Sequence, residues 1–155
     1  MNIFFFDTSA LVKRYVYENG SGWVKDTTSL ENNNPIILSH ITWVEVLSAF
    51  TRLNREKRLS EVDLDESIEI FQYDWNFQYN SIEVDDFIIK QSGNLVKKYP
   101  LRAYDSIQLA SALKLNSVFL ITTPSAYHFV SADKRLIDVA QKEGLETINP
   151  NEIRG

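Results

Sequence analysis

Asp7, Glu45, Asp105 and Asp133 are the residues of this chain best placed to do chemistry, because each stands at or near the start of a helix-like segment. Carboxylates in such positions have two uses. Brought close together they repel, and their pKa values rise unless a cation neutralises them. The chain has no Cys, and oxygen-only donors favour Mg²⁺ or Mn²⁺ over zinc. Taken one at a time, however, each acid suits an ordinary helix end. Asp7 and Asp133 fit N-caps, each stabilising the next helix by about 1 kcal/mol. Asp105 with Gln108 fits a capping box, with Tyr104 and Leu109 as its hydrophobic staple. Glu45 suits the positive end of a helix dipole. No single segment separates a cap from a ligand.

The choice turns on whether the fold gathers the four acids. Hydrophobic patterning predicts strands at Ile3–Phe6, Ile36–Leu38, Ser81–Val84, Val118–Ile121, Phe129–Ser131 and Glu146–Ile148. Helices are predicted over Ser9–Tyr17, Trp23–Glu31, Ile41–Lys57, Ser60–Gln78, Asp85–Tyr99, Asp105–Leu115 and Asp133–Lys142, with Pro100 and Gly144 as stops. Asp105–Leu115 is small or apolar around most of its circumference and is expected to be buried. Strands alternate with helices, which favours an α/β fold with a mostly parallel central sheet flanked by helices. No repeat or linker interrupts the chain, so residues 1–155 are expected to form a single domain.

Ligands of open parallel sheets bind beyond the carboxyl ends of the strands. Asp7 and Asp133 each follow a predicted strand, and Glu45 lies in the first turns after another. The Asp105 helix is predicted to enter Val118–Ile121 through a short turn, which makes helix and strand antiparallel and returns Asp105 to the same edge. Glu45 borders the apolar stripe of Trp43, Val46, Leu47, Phe50 and Leu53, with Ser48, Ala49 and Arg52 along its side. A carboxylate there suits a partly buried pocket. Geometry and charge together point to a divalent-metal site.

Composition narrows the class. At 155 residues, 44% hydrophobic and 24% charged, the chain has the make-up of an ordinary globular domain. No apolar run approaches the roughly 20 residues that span a bilayer, and MNIFFFD lacks the features of a signal peptide. A cytoplasmic setting without membrane association is expected. The net charge of −5 argues against coating nucleic acid through a whole-surface field. With the four grouped acids set aside, the remaining acids nearly balance the 16 Lys and Arg residues, so local basic patches remain available.

At these residues the sequence resembles the PIN-domain ribonucleases, particularly the VapC-type toxins of bacterial and archaeal toxin–antitoxin modules. FFFDTSALVKRY carries Asp7, ITWVEVLSAF Glu45, RAYDSIQLASAL Asp105 and FVSADKRLIDVA Asp133, in matching order across essentially the whole chain. DTSALVKRY and SADKRL are the most specific pieces, and GLETINP is similar to the family's last strand. The resemblance implies a PIN-like three-layer sandwich and a Mg²⁺- or Mn²⁺-dependent endoribonuclease that leaves a 5′-phosphate and a 3′-hydroxyl. It also implies a homodimer, inhibited by a cognate antitoxin bound across the active site. Asp7 and Asp105 match the family's firmest metal ligands, Glu45 and Asp133 complete the acidic cluster, and Ser9 and Ser131 match hydroxyls that orient ligands or phosphate. ITTPSAYHF, residues 121–129, departs from the pattern as a longer connection before the strand that leads to Asp133. A catalytically inactive PIN-like module that binds RNA or protein is the alternative; the presence of all four acids argues against it.

An RNA substrate also needs cations and stacking surfaces. Lys13 and Arg14 follow Asp7; Arg52, Arg55, Lys57 and Arg58 crowd the end of the Glu45 helix; Lys97, Lys98 and Arg102 precede Asp105. Arg52, on the Glu45 side of its helix, is the leading candidate for phosphate contact. The aromatic run FQYDWNFQY, residues 71–79, fits helix packing better than base stacking. His40 and His128 lack support as an acid–base pair. No glycine-rich loop follows the first strand, which excludes dinucleotide and P-loop folds. Ser9 stands where haloacid-dehalogenase enzymes need a second aspartate.

Overall fold

The computed structural model describes residues 2–122 and 126–153. Its five strands are β1 (Ile3–Phe6), β2 (Ile36–Ser39), β3 (Asn80–Ile82), β4 (Tyr127–Val130) and β5 (Thr147–Ile148). They form one sheet in the order β3-β2-β1-β4-β5, and every pairing is parallel. The helices are α1 (Thr8–Leu11), which tightens into a 3₁₀ turn over Val12–Arg14, α2 (Ser21–Thr27), α3 (Thr42–Arg55), α4 (Glu61–Phe77), α5 (Asp86–Lys98), α6 (Ala103–Thr122) and α7 (Lys134–Lys142).

β1 reads as an unbroken apolar run because both faces of the sheet are covered. Phe4 and Phe6 join Ala10, Leu11, Val24, Val46, Phe50 and Phe71 on one side. Ile3 and Phe5 join Ile88, Leu109, Phe129, Leu136 and Val139 on the other. Full burial of Phe5 and Phe6 stabilises the fold by roughly 1.5–3 kcal/mol per side chain. The result is the three-layer sandwich expected, with an all-parallel sheet.

The two-sided packing also locates the crevice. α1, which follows β1, packs on the Phe4/Phe6 face. α7, which follows the neighbouring β4, packs on the opposite face. Adjacent strands whose following helices diverge make a topological switch point, where open parallel sheets bind their ligands. Asp7 and Asp133 stand at that point.

Three local expectations are corrected. Val118–Ile121 is not a strand but the last part of α6, which runs to Thr122; a short apolar run has no period that separates a strand from a buried helix. α6 nevertheless leads into parallel β4, so its start still lies at the carboxyl edge. Second, α6 begins at Ala103, which puts Asp105 inside the helix rather than at its cap. The capping box and staple are therefore absent: Gln108 bonds elsewhere, and Tyr104 is exposed while Leu109 is buried. Third, the Ser9–Tyr17 helix tightens after Leu11 and stops at Tyr15, where side chains drawn into long-range bonds compete with helix continuation. Of the connection expected over residues 121–129, Ile121 and Thr122 belong to α6 and Tyr127–Phe129 to β4, and residues 123–125 lie outside the described residues. Among the described residues no helix is long and apolar enough to cross a membrane.

Gly20, before α2, has φ of 87°, and a Cβ there would lie 2.8 Å from the Pro150 carbonyl oxygen. Gly20→Ala is expected to cost on the order of 2–3 kcal/mol through left-handed strain and this clash. That corresponds to a fall in Tm of about 5–10 °C for a chain of this size, measurable by thermal unfolding.

Candidate functional site

β1 ends at the switch point, and the next residue, Asp7, is only 3% exposed. Its carboxylate does both jobs considered for it. Oδ1 accepts the Ala10 backbone N–H at 3.0 Å as the N-cap of α1, and also the Ser9 hydroxyl at 2.7 Å. Oδ2 accepts the Ser131 hydroxyl at 2.6 Å. Burial pushes Asp7 up to about 7, against the lowering effect of Ser131, Ser9 and Ala10, while the charge of Asp105 adds to the rise. Three hydrogen bonds do not compensate for the loss of water around this anion.

Ser131 lies just past β4, and its Oγ accepts the Asp133 backbone N–H at 3.1 Å while donating to Asp7. Ser9 Oγ accepts the Ala132 N–H at 3.0 Å. The two hydroxyls thus tie the ends of β1 and β4 together through Asp7. Asp133 caps α7 through Oδ1, which takes the Arg135 and Leu136 N–H groups, and its Oδ2 accepts no hydrogen bond among the described residues.

Asp105 enters from the third position of α6 and is half-buried. Burial raises its pKa, followed by the charges of Asp133 and Glu45, with Arg102 opposing. Neither Asp105 oxygen accepts a hydrogen bond among the described residues. Glu45, half-buried in the first turn of α3, accepts the Thr8 hydroxyl at 3.0 Å and the Gln108 amide at 2.8 Å, both on Oε1. Its Oε2 is left without a donor among the described residues.

The fold therefore brings Asp7, Glu45 and Asp133, from the ends of β1, α3 and α7, within electrostatic reach of Asp105 on α6. Among the described residues no three acids or histidines already converge tightly enough to enclose an ion. The donor set fits a hard divalent cation all the same. Its donors are exclusively oxygen, and Glu45, Asp105 and Asp133 each present an unengaged carboxylate oxygen. A cation would also stabilise the ionised forms of Asp7 and Asp105, which burial first and neighbouring carboxylates second hold above the usual carboxylate range.

The basic clusters divide differently from expectation. Lys13 is buried, with Nζ donating to Glu18 Oε1 at 3.0 Å and the Asn19 carbonyl at 2.7 Å. Arg14 is held by Asp74 and Thr28. Neither is free to hold phosphate. Lys98 pairs with Glu143. Arg52 is exposed and makes no ion pair among the described residues, but seven residues of helix place it about 10 Å along α3 from Glu45. Arg102, exposed beside Asp105, acts on the site directly. Of the aromatic run, Phe71 and Trp75 pack with Trp43, whereas Tyr73 and Phe77 are exposed with ring centroids 4.8 Å apart. His40 packs on Trp75, and His128 stacks on Phe4.

Thr8, Thr42 and Gln108 are site residues that sequence patterning does not single out. The only signal was the spacing of Gln108 three residues after Asp105, which a capping box explains equally well.

An all-parallel α/β sandwich with four carboxylates and two hydroxyls at its switch point defines a class of acid-lined α/β domain. The PIN domain family model matches residues 4–142, and the chain belongs to the PIN domain family. PIN domains are generally nucleases that use divalent metals. No curated protein matches the chain. Among solved structures it is similar to a toxin–antitoxin complex from Klebsiella pneumoniae, with 19% identity, TM-score 0.62, and coverage of 96% of this chain and 98% of that one. DNA-bound VapBC from Salmonella typhimurium is 13% identical with TM-score 0.62, over 97% and 99% of the two chains. FitAcB from Neisseria gonorrhoeae is 13% identical with TM-score 0.61, also over 97% and 99%. At these identities the likeness is one of fold.

Proposed function

We propose that this chain is a Mg²⁺- or Mn²⁺-dependent endoribonuclease, the toxin of a toxin–antitoxin pair. The observation that supports the reading is the electrostatic proximity of Asp105 to Asp7, Glu45 and Asp133 beside the β1/β4 switch point, with Asp7 buried and raised to about 7. Asp7 and Asp105 would hold the cation. When bound, it supplies positive charge against the phosphate and lowers the pKa of a water. Glu45 or Asp133 would take the proton of the attacking water or help to hold a second ion. Ser9 and Ser131 orient the Asp7 carboxylate, and Arg102 and Arg52 are the cations available to phosphate.

The toxin assignment draws on the three similar structures, two described as toxin–antitoxin or VapBC complexes, and on the motif resemblance, which also supports a homodimer and a cognate antitoxin as partner. We take residues 1–155 as one PIN-like domain acting on RNA in the cytoplasm. Cleavage of single-stranded RNA is expected in Mg²⁺ or Mn²⁺, to be lost in excess EDTA, and to fall at least a hundredfold in Asp105→Asn. Gel analysis of end-labelled RNA reads all three. Cleavage that persists in EDTA, or survives Asp105→Asn undiminished, contradicts the proposal.

A further inference from the structure

Gln108 is only 2% exposed, yet its amide is not used as core filling. Nε2 donates to Glu45 Oε1 at 2.8 Å and to Thr42 Oγ1 at 2.9 Å, with Thr8 Oγ1 farther off at 3.3 Å. Thr8 Oγ1 itself donates to Glu45 Oε1 at 3.0 Å. Two donors from two helices, α1 and α6, therefore converge on one oxygen of a carboxylate carried by a third, α3. The other oxygen, Oε2, is left for a different partner.

The amide's own carbonyl shows what this arrangement costs. Gln108 Oε1 is buried without a hydrogen bond among the described residues, a condition that typically costs about 1–3 kcal/mol. Turning the amide over would not relieve it, since the carbonyl would then face the Glu45 carboxylate. A leucine of similar size would avoid the unsatisfied atom, but it could not restrain Glu45. Gln108 also lies one helical turn from Asp105, so α6 carries one acid and the clamp on another.

We infer that Gln108 is a positioning residue for the nuclease site: it holds Glu45 by Oε1 and leaves Oε2 available to ligate a divalent cation. The inference rests on the metal-dependent reading above and concerns how Glu45 is held. A tie that merely joined α6 to α3 would affect stability and leave ion binding alone. Partners that orient a metal-binding group typically change metal affinity by 10–100-fold when removed.

The test is titration with Mn²⁺ alone, reading free Mn²⁺ by electron paramagnetic resonance, for the wild type, Gln108→Leu, Thr8→Val, Glu45→Gln and Gln108→Leu with Glu45→Gln. Gln108→Leu is expected to weaken Mn²⁺ binding 10–100-fold while keeping or raising Tm, with the RNA-cleavage kcat largely recovered at saturating Mn²⁺. Thr8→Val, which removes the second donor, is expected to give a smaller loss in the same direction. It reads the same clamp if Gln108→Leu folds poorly. In the Glu45→Gln background, Gln108→Leu is expected to add nothing. Wild-type affinity in Gln108→Leu, or an equal loss with and without Glu45, overturns the positioning role and leaves the nuclease reading standing. Absence of Mn²⁺ binding in the wild type removes both.

Discussion

Asp7→Asn is expected to reduce metal-dependent RNA cleavage about a thousandfold, and at the same time to make the metal-free protein more stable at pH 8. The loss of activity follows from the proposed role of Asp7 as a metal ligand, whose removal would forfeit several kcal/mol of transition-state stabilisation, at about 1.4 kcal/mol per tenfold in rate. The stability term follows from the Asp7 pKa. Burial raises it from 3.8 to about 7, so between those pH values the folded chain keeps a proton that the unfolded chain releases. Stability is therefore lost as pH rises through that window, and the full penalty is present above pH 7. A shift of this size corresponds to an upper bound of about 4 kcal/mol.

Asparagine cannot ionise and still caps a helix, although it accepts less well from Ser9 and Ser131. A net gain of about 1–3 kcal/mol at pH 8, shrinking towards zero near pH 4, is expected. Thermal unfolding across pH reads the gain directly. Mn²⁺ should raise the wild-type Tm by mass action and leave the variant unmoved. A variant less stable than wild type at pH 8 without metal would show that the hydrogen bonds to Asp7 outweigh the cost of its burial, and undiminished cleavage by it would remove the proposed metal role.

Asp74→Ala carries the second large effect, and it acts on the fold. Asp74 Oδ2 accepts Arg14 Nε at 3.0 Å and the Tyr15 hydroxyl at 2.7 Å; Tyr15 bonds Tyr79 in turn, and Arg14 reaches Thr28 at 2.9 Å. The Asp74 and Arg14 side chains are 8% and 20% exposed. Burial, then neighbouring negative charge, holds the Tyr15 hydroxyl far above the ordinary tyrosine range, so it donates as a neutral group. Removing the carboxylate leaves the Arg14 charge without its counter-ion and the Tyr15 hydroxyl without that acceptor in a mostly buried setting, which typically costs about 3–5 kcal/mol. Asp74→Asn, which keeps an acceptor but not the charge, is expected to lose less. Equilibrium urea unfolding measures both, and a loss below about 1 kcal/mol for Asp74→Ala would show that the network contributes little. Because Arg14 and Tyr15 follow α1 directly, this network also anchors the segment that begins at Asp7.

The layout of the site was legible wherever strand end, helix start and acid coincide in a few residues. Asp7 and Asp133 satisfy that condition, and hydrophobic period places β1 at its observed bounds and α3 and α7 with small errors at their ends. Asp105 was assigned to the correct edge through a strand at Val118–Ile121 that does not exist. The inference survived because a helix followed by a parallel strand must return along the sheet, whichever residues make the strand. Arg14 illustrates the opposite outcome: beside Asp7 in sequence it resembles a phosphate ligand, but Asp74, sixty residues away, takes its charge.

What the sequence determined by itself is the set of groups and their approximate edge: four carboxylates, no thiol, and alternating elements that deliver them to one rim, with the two hydroxyls added by the family resemblance. Those are properties of residue type and short-range periodicity. Tertiary structure alone decided that Asp7 is buried enough to lose much of its acidity, and that Lys13 and Arg14 serve the fold. It also placed the Gln108 amide on Glu45 across 63 positions of chain. Desolvation and partner choice depend on which surfaces pack together in space, and a neutral glutamine leaves no periodic mark of the carboxylate it will meet.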